Sequence, residues 1–237
     1  MISIITATYN SENVIEILYK SLKDQTDVSF EWIIVDGGSR DSTISKINTF
    51  TGIDIKFITE PDNGIYDAIN KGVKLSKYDY YLVCGSDDLF LPNTIKNLNL
   101  EIINNKIFDF YACSFVVNDK VCYPQSNLSW LRGMRGISSC HSVSLLIRKK
   151  LHEKFGYYNL DFPVLADQYF VQKALFSGSS IKYCRYIVAG IYSESGISSL
   201  NSLDKQIDFL RMQLYFNRNL FVQIFLFLFR LFKFKYF

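Results

Sequence analysis

A chain of 237 residues, 49% hydrophobic and 21% charged, is long enough for one large domain and too apolar to be disordered. Its net charge of +3 excludes one broad basic face, so no nucleic-acid partner is expected. Five cysteines without a C-x-x-C pair offer neither a disulfide framework nor a zinc site, and suit a reducing cytoplasm. The N-terminus runs directly into a strand with no basic leader, so no secretion signal is expected.

The alternation of apolar residues predicts a strand over 2–8 and an amphipathic helix over 13–23. A strand at 31–35 precedes a helix that starts near Asp41-Ser42-Thr43. Strand 54–58, helix 65–75, strand 80–84 and helix 93–103 complete the series. This order predicts an α/β fold, a Rossmann-like and mostly parallel sheet with helices on both faces. Past residue 107 the pattern turns to α+β. Residues 108–117 and 120–123 resemble a hairpin pivoting on Asn118-Asp119, 124–140 a loop, 142–148 a strand and 168–176 a helix.

Each early strand ends in a polar cluster: Thr6-Ala7-Thr8-Tyr9-Asn10, Asp36-Gly37-Gly38-Ser39, Glu60-Pro61-Asp62-Asn63-Gly64 and Gly85-Ser86-Asp87-Asp88. A parallel sheet gathers all four on one edge, where open α/β sheets bind ligands. Asp87 and Asp88 repel each other and lose hydration as such a site closes. A divalent cation relieves that cost, and a phosphate-bearing ligand completes its oxygen shell. The plainer alternative makes Asp87-Asp88 a turn before the helix that follows Leu91-Pro92. No G-x-G-x-x-G follows the first strand and no G-x-x-x-x-G-K-[ST] occurs, so Rossmann dinucleotide and P-loop binding lose their signatures. The simplest ligand is a nucleoside diphosphate held through a divalent cation.

Ile4-Ile5-Thr6-Ala7-Thr8-Tyr9-Asn10, Val35-Asp36-Gly37-Gly38-Ser39-Arg40-Asp41-Ser42-Thr43, Glu60-Pro61-Asp62-Asn63-Gly64-Ile65-Tyr66-Asp67-Ala68-Ile69-Asn70-Lys71-Gly72 and Gly85-Ser86-Asp87-Asp88, in that order, resemble family 2 glycosyltransferases. The resemblance implies a GT-A fold and an inverting, metal-dependent transfer from a nucleotide sugar. It places Thr6, Ala7 and Tyr9 around the base, with Asp36 accepting from the nucleobase ring. The turn at Gly38 lets the chain approach the nucleotide closely. Asp62, Gly64, Asp67 and Asn70 then bound the ribose and donor sugar, although Asp67 and Lys71 also suit a surface pair four residues apart. The resemblance assigns Asp87 to the ribose and Asp88 to a Mn²⁺ or Mg²⁺ ion against the diphosphate.

On the acceptor side, the resemblance points to Asp167 as the base at a helix start, with Ala166 where the family often has Glu. Its alternative is a helix cap. His141, before the strand at 142–148, and Arg135, in the preceding loop, are candidates for diphosphate or acceptor contact, and the loop Ser195-Gly196-Ile197-Ser198-Ser199 for closure near the donor. The implied division is a donor half at 1–106, an acceptor and catalytic half at 107–217, and a basic aromatic tail at 218–237.

In the tail nine of the ten residues 220–229 are apolar, and Arg230, Lys233 and Lys235 follow. This run is shorter than the roughly 20 residues that span a bilayer. An amphipathic helix lying on a membrane surface is expected, with a docking helix on protein as the alternative. Together these readings describe a transferase of polysaccharide assembly that is cytoplasmic and peripheral to the inner face of the membrane. Its expected partners are a nucleotide sugar and a glycan or lipid-linked acceptor. A sugar nucleotidyltransferase and a non-catalytic nucleotide-binding protein are the alternatives.

Overall fold

A computed structural model describes residues 1–124, 141–193, 203–216 and 219–236. β1 (Ile2–Thr8), β2 (Phe30–Asp36), β3 (Asp54–Thr59) and β4 (Tyr80–Val83) form a parallel sheet in the order β3-β2-β1-β4. The connecting helices are α1 (Ile15–Lys23), α2 (Thr43–Ile47) and α3 (Ile65–Leu75). A two-residue strand, β5 (Leu89–Phe90), precedes α4 (Thr94–Asn104).

The remaining strands extend the same sheet. β6 (Phe110–Val117) and β7 (Lys120–Cys122) make the expected hairpin, with Asn118 and Asp119 at φ 46° and 58°. Two consecutive left-handed residues are what a tight hairpin turn demands, and Asn and Asp tolerate them best. β8 (Leu145–Arg148) lies antiparallel between β4 and β6. Residues 142–144 form a 3₁₀ turn rather than the start of that strand. β9 (Ile181–Ile191) pairs parallel with β6 and antiparallel with β5. The helices of the second half are α5 (Leu151–Phe155), α6 (Ala166–Phe176), α7 (Leu203–Tyr215) and α8 (Leu220–Tyr236).

The period of two along the strands sorts the core into two layers. Ile5, Ile33 and Val35 face α3, α5 and α6, whereas Ile2, Ile4, Trp32 and Ile34 face α1 and α4. Both layers continue into β6 and β8, so the two halves share one sheet and both cores. Where α3 crosses β1, a Cβ at Gly72 would collide with Ile5, so only glycine lets the helix lie this close to the strand.

The tail is helical, but it packs the opposite way from a buried amphipathic helix. Gln223 is buried, and Arg230 lies over the Phe209 ring of α7 with its guanidinium carbon 4.3 Å from the centroid. Phe221, Phe225, Leu228, Phe229 and Phe232 are exposed. Among the described residues no helix is long and apolar enough to cross a membrane.

Candidate active site

The four strand ends meet on one rim and are tied together by their loops. Gly37 N donates to Thr8 O at 2.9 Å, and Glu60 N to Asp36 O at 3.0 Å. Asn10, at φ 49°, donates its amide to Ser39 Oγ at 2.8 Å and accepts from Arg40 N at 2.9 Å. Ser11 and Ser86 share a hydroxyl contact of 3.0 Å that joins the loop after β1 to the loop after β4.

At the end of β2, Asp36 is fully buried. Its Oδ2 accepts from Gly38 N at 3.0 Å, Ser39 N at 2.9 Å and Thr59 Oγ1 at 2.8 Å, and its Oδ1 from the Ser39 hydroxyl. Four protein donors leave this carboxylate little capacity for a base, which corrects the expected contact. Asp36 instead shapes the turn in which Gly38 sits at φ 88°, a conformation that favours glycine. Thr6 is also misplaced by the sequence reading. Strand alternation turns it into the core, where the Trp32 indole donates to its hydroxyl at 3.0 Å, while Ala7 packs toward α3. Tyr9 does stand on the rim, 59% exposed.

After β3, Gly64 at φ 103° opens α3. Asp62 is half-buried on the rim, and its Oδ1 accepts from Gly64 N at 2.9 Å. Asp67 folds back to accept from Asn63 N at 3.0 Å and lies 3.6 Å from Lys71, so the surface-pair alternative describes it best. Asn70 is buried, donates to Tyr158 O and accepts from Tyr158 N, both at 2.9 Å. Both faces of its amide are spent on clamping the chain at Tyr158, which corrects its assignment to the donor sugar.

After β4 the arrangement differs. Asp87 Oδ1 and Asp88 Oδ2 lie 2.8 and 3.0 Å from the point where a Cβ on Gly85 would stand, so any side chain there displaces them. Asp88 is 2% exposed, and among the described residues its carboxylate receives two backbone bonds. These come from Ser193 N at 2.9 Å and Gly85 N at 3.2 Å. Burial outweighs those bonds and, with Asp87 adding to it, pushes Asp88 up to about 7. Among the described residues no three His, Cys, Asp or Glu side chains group as a self-sufficient metal site. Two convergent carboxylates, one of them desolvated, suit a hard cation that takes its other oxygens from a bound diphosphate.

Two candidates from the second half of the chain approach this rim from two directions. Asp167 sits in the first turn of α6, and Tyr66, in the first turn of α3, donates to its Oδ1 at 2.7 Å. Burial raises the Asp167 carboxyl, opposed by the Tyr66 bond and the amides of the helix start. His141 stacks on Tyr192 at 3.9 Å, one residue from the Ser193 amide that holds Asp88. Arg135 and the loop 195–199 lie outside the described residues.

Beneath α6 a buried polar chain supports the site. Gly156 O can only accept, so His152 Nδ1 carries the proton at 3.0 Å and Nε2 accepts the Tyr81 hydroxyl at 2.7 Å. Tyr81 accepts in turn from the Tyr158 hydroxyl at 2.8 Å. Desolvation lowers His152 to about 4, which keeps it neutral. Little in the chain announces these partners. Tyr66 lies inside the third strand-end motif, at the helix start nearest the rim, whereas Ser193 and His152 carry no local signal.

The sequence model for glycosyl transferase family 2 matches residues 3–159. A relative, the "PGL/p-HBAD biosynthesis glycosyltransferase" of Mycobacterium tuberculosis, is 30% identical over 218 residues, spanning 87% of this chain and 82% of the relative. Staphylococcus aureus TarS 1–349 in complex with UDP-GlcNAc superposes with a TM-score of 0.71 at 20% identity over 89% of this chain. The mannosyltransferase PcManGT from Pyrobaculum calidifontis, in complex with GDP-Man and Mn²⁺, gives 0.71 at 15% identity over 92%. This chain spans 65% and 64% of the length of those two structures.

Proposed function

Because the chain belongs to glycosyltransferase family 2, we propose that it moves one sugar from a nucleoside-diphosphate donor to a hydroxyl of a glycan or lipid-linked acceptor, with inversion, in polysaccharide assembly. The observation that carries this reading is the convergence of Asp87 and Asp88 around Gly85 at the end of β4. In it, Tyr9, Gly38, Asp62 and Gly64 border the nucleotide and Asp87 the ribose. Asp36, Asp67 and Asn70 hold the loops in place. A Mn²⁺ or Mg²⁺ ion at Asp88 would neutralise the departing diphosphate. His141, beside Tyr192, lies on the diphosphate side.

Asp167 takes the acceptor hydroxyl proton in this mechanism. A base needs a pKa closer to neutrality than a free carboxylate has, and burial moves Asp167 in that direction. Tyr66 fixes the orientation of its carboxylate. The nucleotidyltransferase alternative needs a Gly-rich, basic phosphate loop after β1. Here Asn10, Ser11 and Glu12 are instead hydrogen-bonded to the neighbouring loops.

The tail supports a peripheral location on the inner membrane face, close to a lipid-linked acceptor. An apolar helix face turned outward, followed by Lys233 and Lys235, suits an anionic bilayer surface. Vesicles rich in anionic lipid should pellet the protein in a salt-sensitive way that is lost on deleting residues 218–237, whereas indifference to vesicles rejects this location. The activity itself is tested with a panel of nucleotide sugars, Mn²⁺ and a polyprenyl-diphosphate-linked glycan. Transfer with inverted anomeric configuration supports the reading. Release of a nucleoside monophosphate in place of the diphosphate, or formation of a nucleoside triphosphate and a sugar phosphate when pyrophosphate is supplied, rejects it.

A further inference from the structure

Asp208, in α7, is buried and has no part in the mechanism above. Its Oδ2 accepts from Val164 N at 3.0 Å, and its Oδ1 lies 3.6 Å from Arg211, three residues further along the same helix. Arg211 in turn donates to Asp161 O at 2.7 Å and covers the Phe162 ring, with its guanidinium carbon 4.9 Å from the centroid. This pair on one face of α7 grips the residues that lead into α6, the helix that carries Asp167 in its first turn.

The Val164 peptide is held from both sides. Its N–H goes to Asp208, and its carbonyl accepts from the Tyr66 hydroxyl at 3.0 Å. The same hydroxyl donates to Asp167 Oδ1 at 2.7 Å. One hydroxyl carries one proton, so the carbonyl and the carboxylate share it, and the place of the Val164 peptide sets how squarely it meets Asp167. The titratable groups that face Asp167 are Tyr66 of α3, Tyr81 of β4, Tyr158 before α6, and Lys205 of α7. Those that face Asp208 are Arg211 and Asp204 of its own helix. Resting on the reading of Asp167 as the base, we propose that Asp208 is its positioning residue: by holding the Val164 amide, it seats the Tyr66 hydroxyl between the Val164 carbonyl and the Asp167 carboxylate.

The test titrates Asp167 in the full chain by NMR of isotope-labelled aspartate carboxyl groups, assigned by the signal lost in Asp167→Asn. Asp208→Glu keeps the charge and displaces the acceptor by a methylene, whereas Asp208→Asn keeps the acceptor in place and removes the charge. Burial raises the Asp167 carboxyl and the Tyr66 bond opposes it, so weakening that bond lets it rise. Asp208→Glu should therefore raise the Asp167 midpoint by about one pH unit, and Asp208→Asn should leave it in place. In a Tyr66→Phe background, where the bond is already gone, Asp208→Glu should add nothing. Asp208→Ala removes the acceptor without added bulk and should repeat the rise if the longer side chain does not fold. An unmoved midpoint in these variants, an equal rise in Asp208→Asn, or a rise that persists in the Tyr66→Phe background overturns the inference. The base itself is read separately, by release of nucleoside diphosphate from nucleotide sugars with Mn²⁺ and a polyprenyl-diphosphate-linked glycan. If Asp167→Asn releases it at the wild-type rate, Asp167 is not the base and both readings fall. If that variant is inactive while Asp208→Glu leaves the midpoint unmoved, the inference alone falls.

Discussion

Asp36 ends β2 and Asp88 lies in the turn after β4, and the strand-end pattern of the sequence marks both as facing a ligand. Asp36 is met by four protein donors that tie the loop after β2 to β3. Asp88 has two backbone donors and sits against Asp87, and burial leaves it near 7. The β2 end is therefore finished architecture, whereas at the β4 end burial of Asp88 outweighs the two backbone bonds it receives among the described residues. A carboxylate whose lone pairs are filled holds the protein together. One that is desolvated without compensation is where an external charge fits.

Variants across the two ends, and on the acceptor side that faces them, should separate accordingly. The largest effect is expected at Asp167→Asn, which keeps the shape but removes the base. Single-turnover rates should fall by about 10²- to 10⁴-fold with nucleotide affinity unchanged. Near-normal turnover would remove Asp167 from the mechanism.

The contrast between the ends is then one of stability. Asp36→Ala strips the acceptor from four donors and should cost about 2–4 kcal/mol in urea unfolding. Asp88→Ala loses two bonds but also relieves a buried charge, so it should cost at most about 1 kcal/mol. Equal costs would erase the distinction between a builder and a binder.

A pH series sharpens the comparison from beneath the site. His152 takes up a proton near 6.5 when unfolded and near 4 when folded. The unfolded chain therefore binds more protons between those values. The contribution of His152 is complete above pH 6.5 and is lost as the pH falls toward 4, by roughly 3 kcal/mol. Urea midpoints of His152→Gln should fall less steeply than those of the wild type across that window, and parallel curves would contradict this. The smallest effect is expected at Tyr66→Phe. Loss of one hydrogen bond should raise the Asp167 pKa further, move the acid limb of turnover to higher pH and slow the rate about fivefold. An unmoved limb would mean that Tyr66 only packs.

Much of this arrangement could be read in the chain before its structure. α3 was expected over 65–75 and occupies Ile65–Leu75, because Gly64, at positive φ, and an apolar stripe mark its start and face. The Asn118-Asp119 turn announced its hairpin in the same way. The strand β9 escaped notice, since polar Lys182, Arg185 and Tyr186 interrupt its pattern and its pairing with β6 shifts register after Cys113. Within the site, acidic residues at strand ends were legible as a group, but their division of labour was not. Whether Asp36 faces a ligand or its own loop depends on Ser39 and Thr59, and whether Asn70 is open depends on Tyr158, 88 residues away. Long-range partners of that kind leave no local pattern.

The claim on which the rest depends is that the β4 end binds a diphosphate through a cation. Titration of the chelator-treated chain with its preferred nucleoside diphosphate, with and without Mn²⁺, addresses it directly. Binding should require the ion and should weaken at least tenfold in Asp88→Ala. Equal affinity with and without Mn²⁺, unchanged by that substitution, would contradict it.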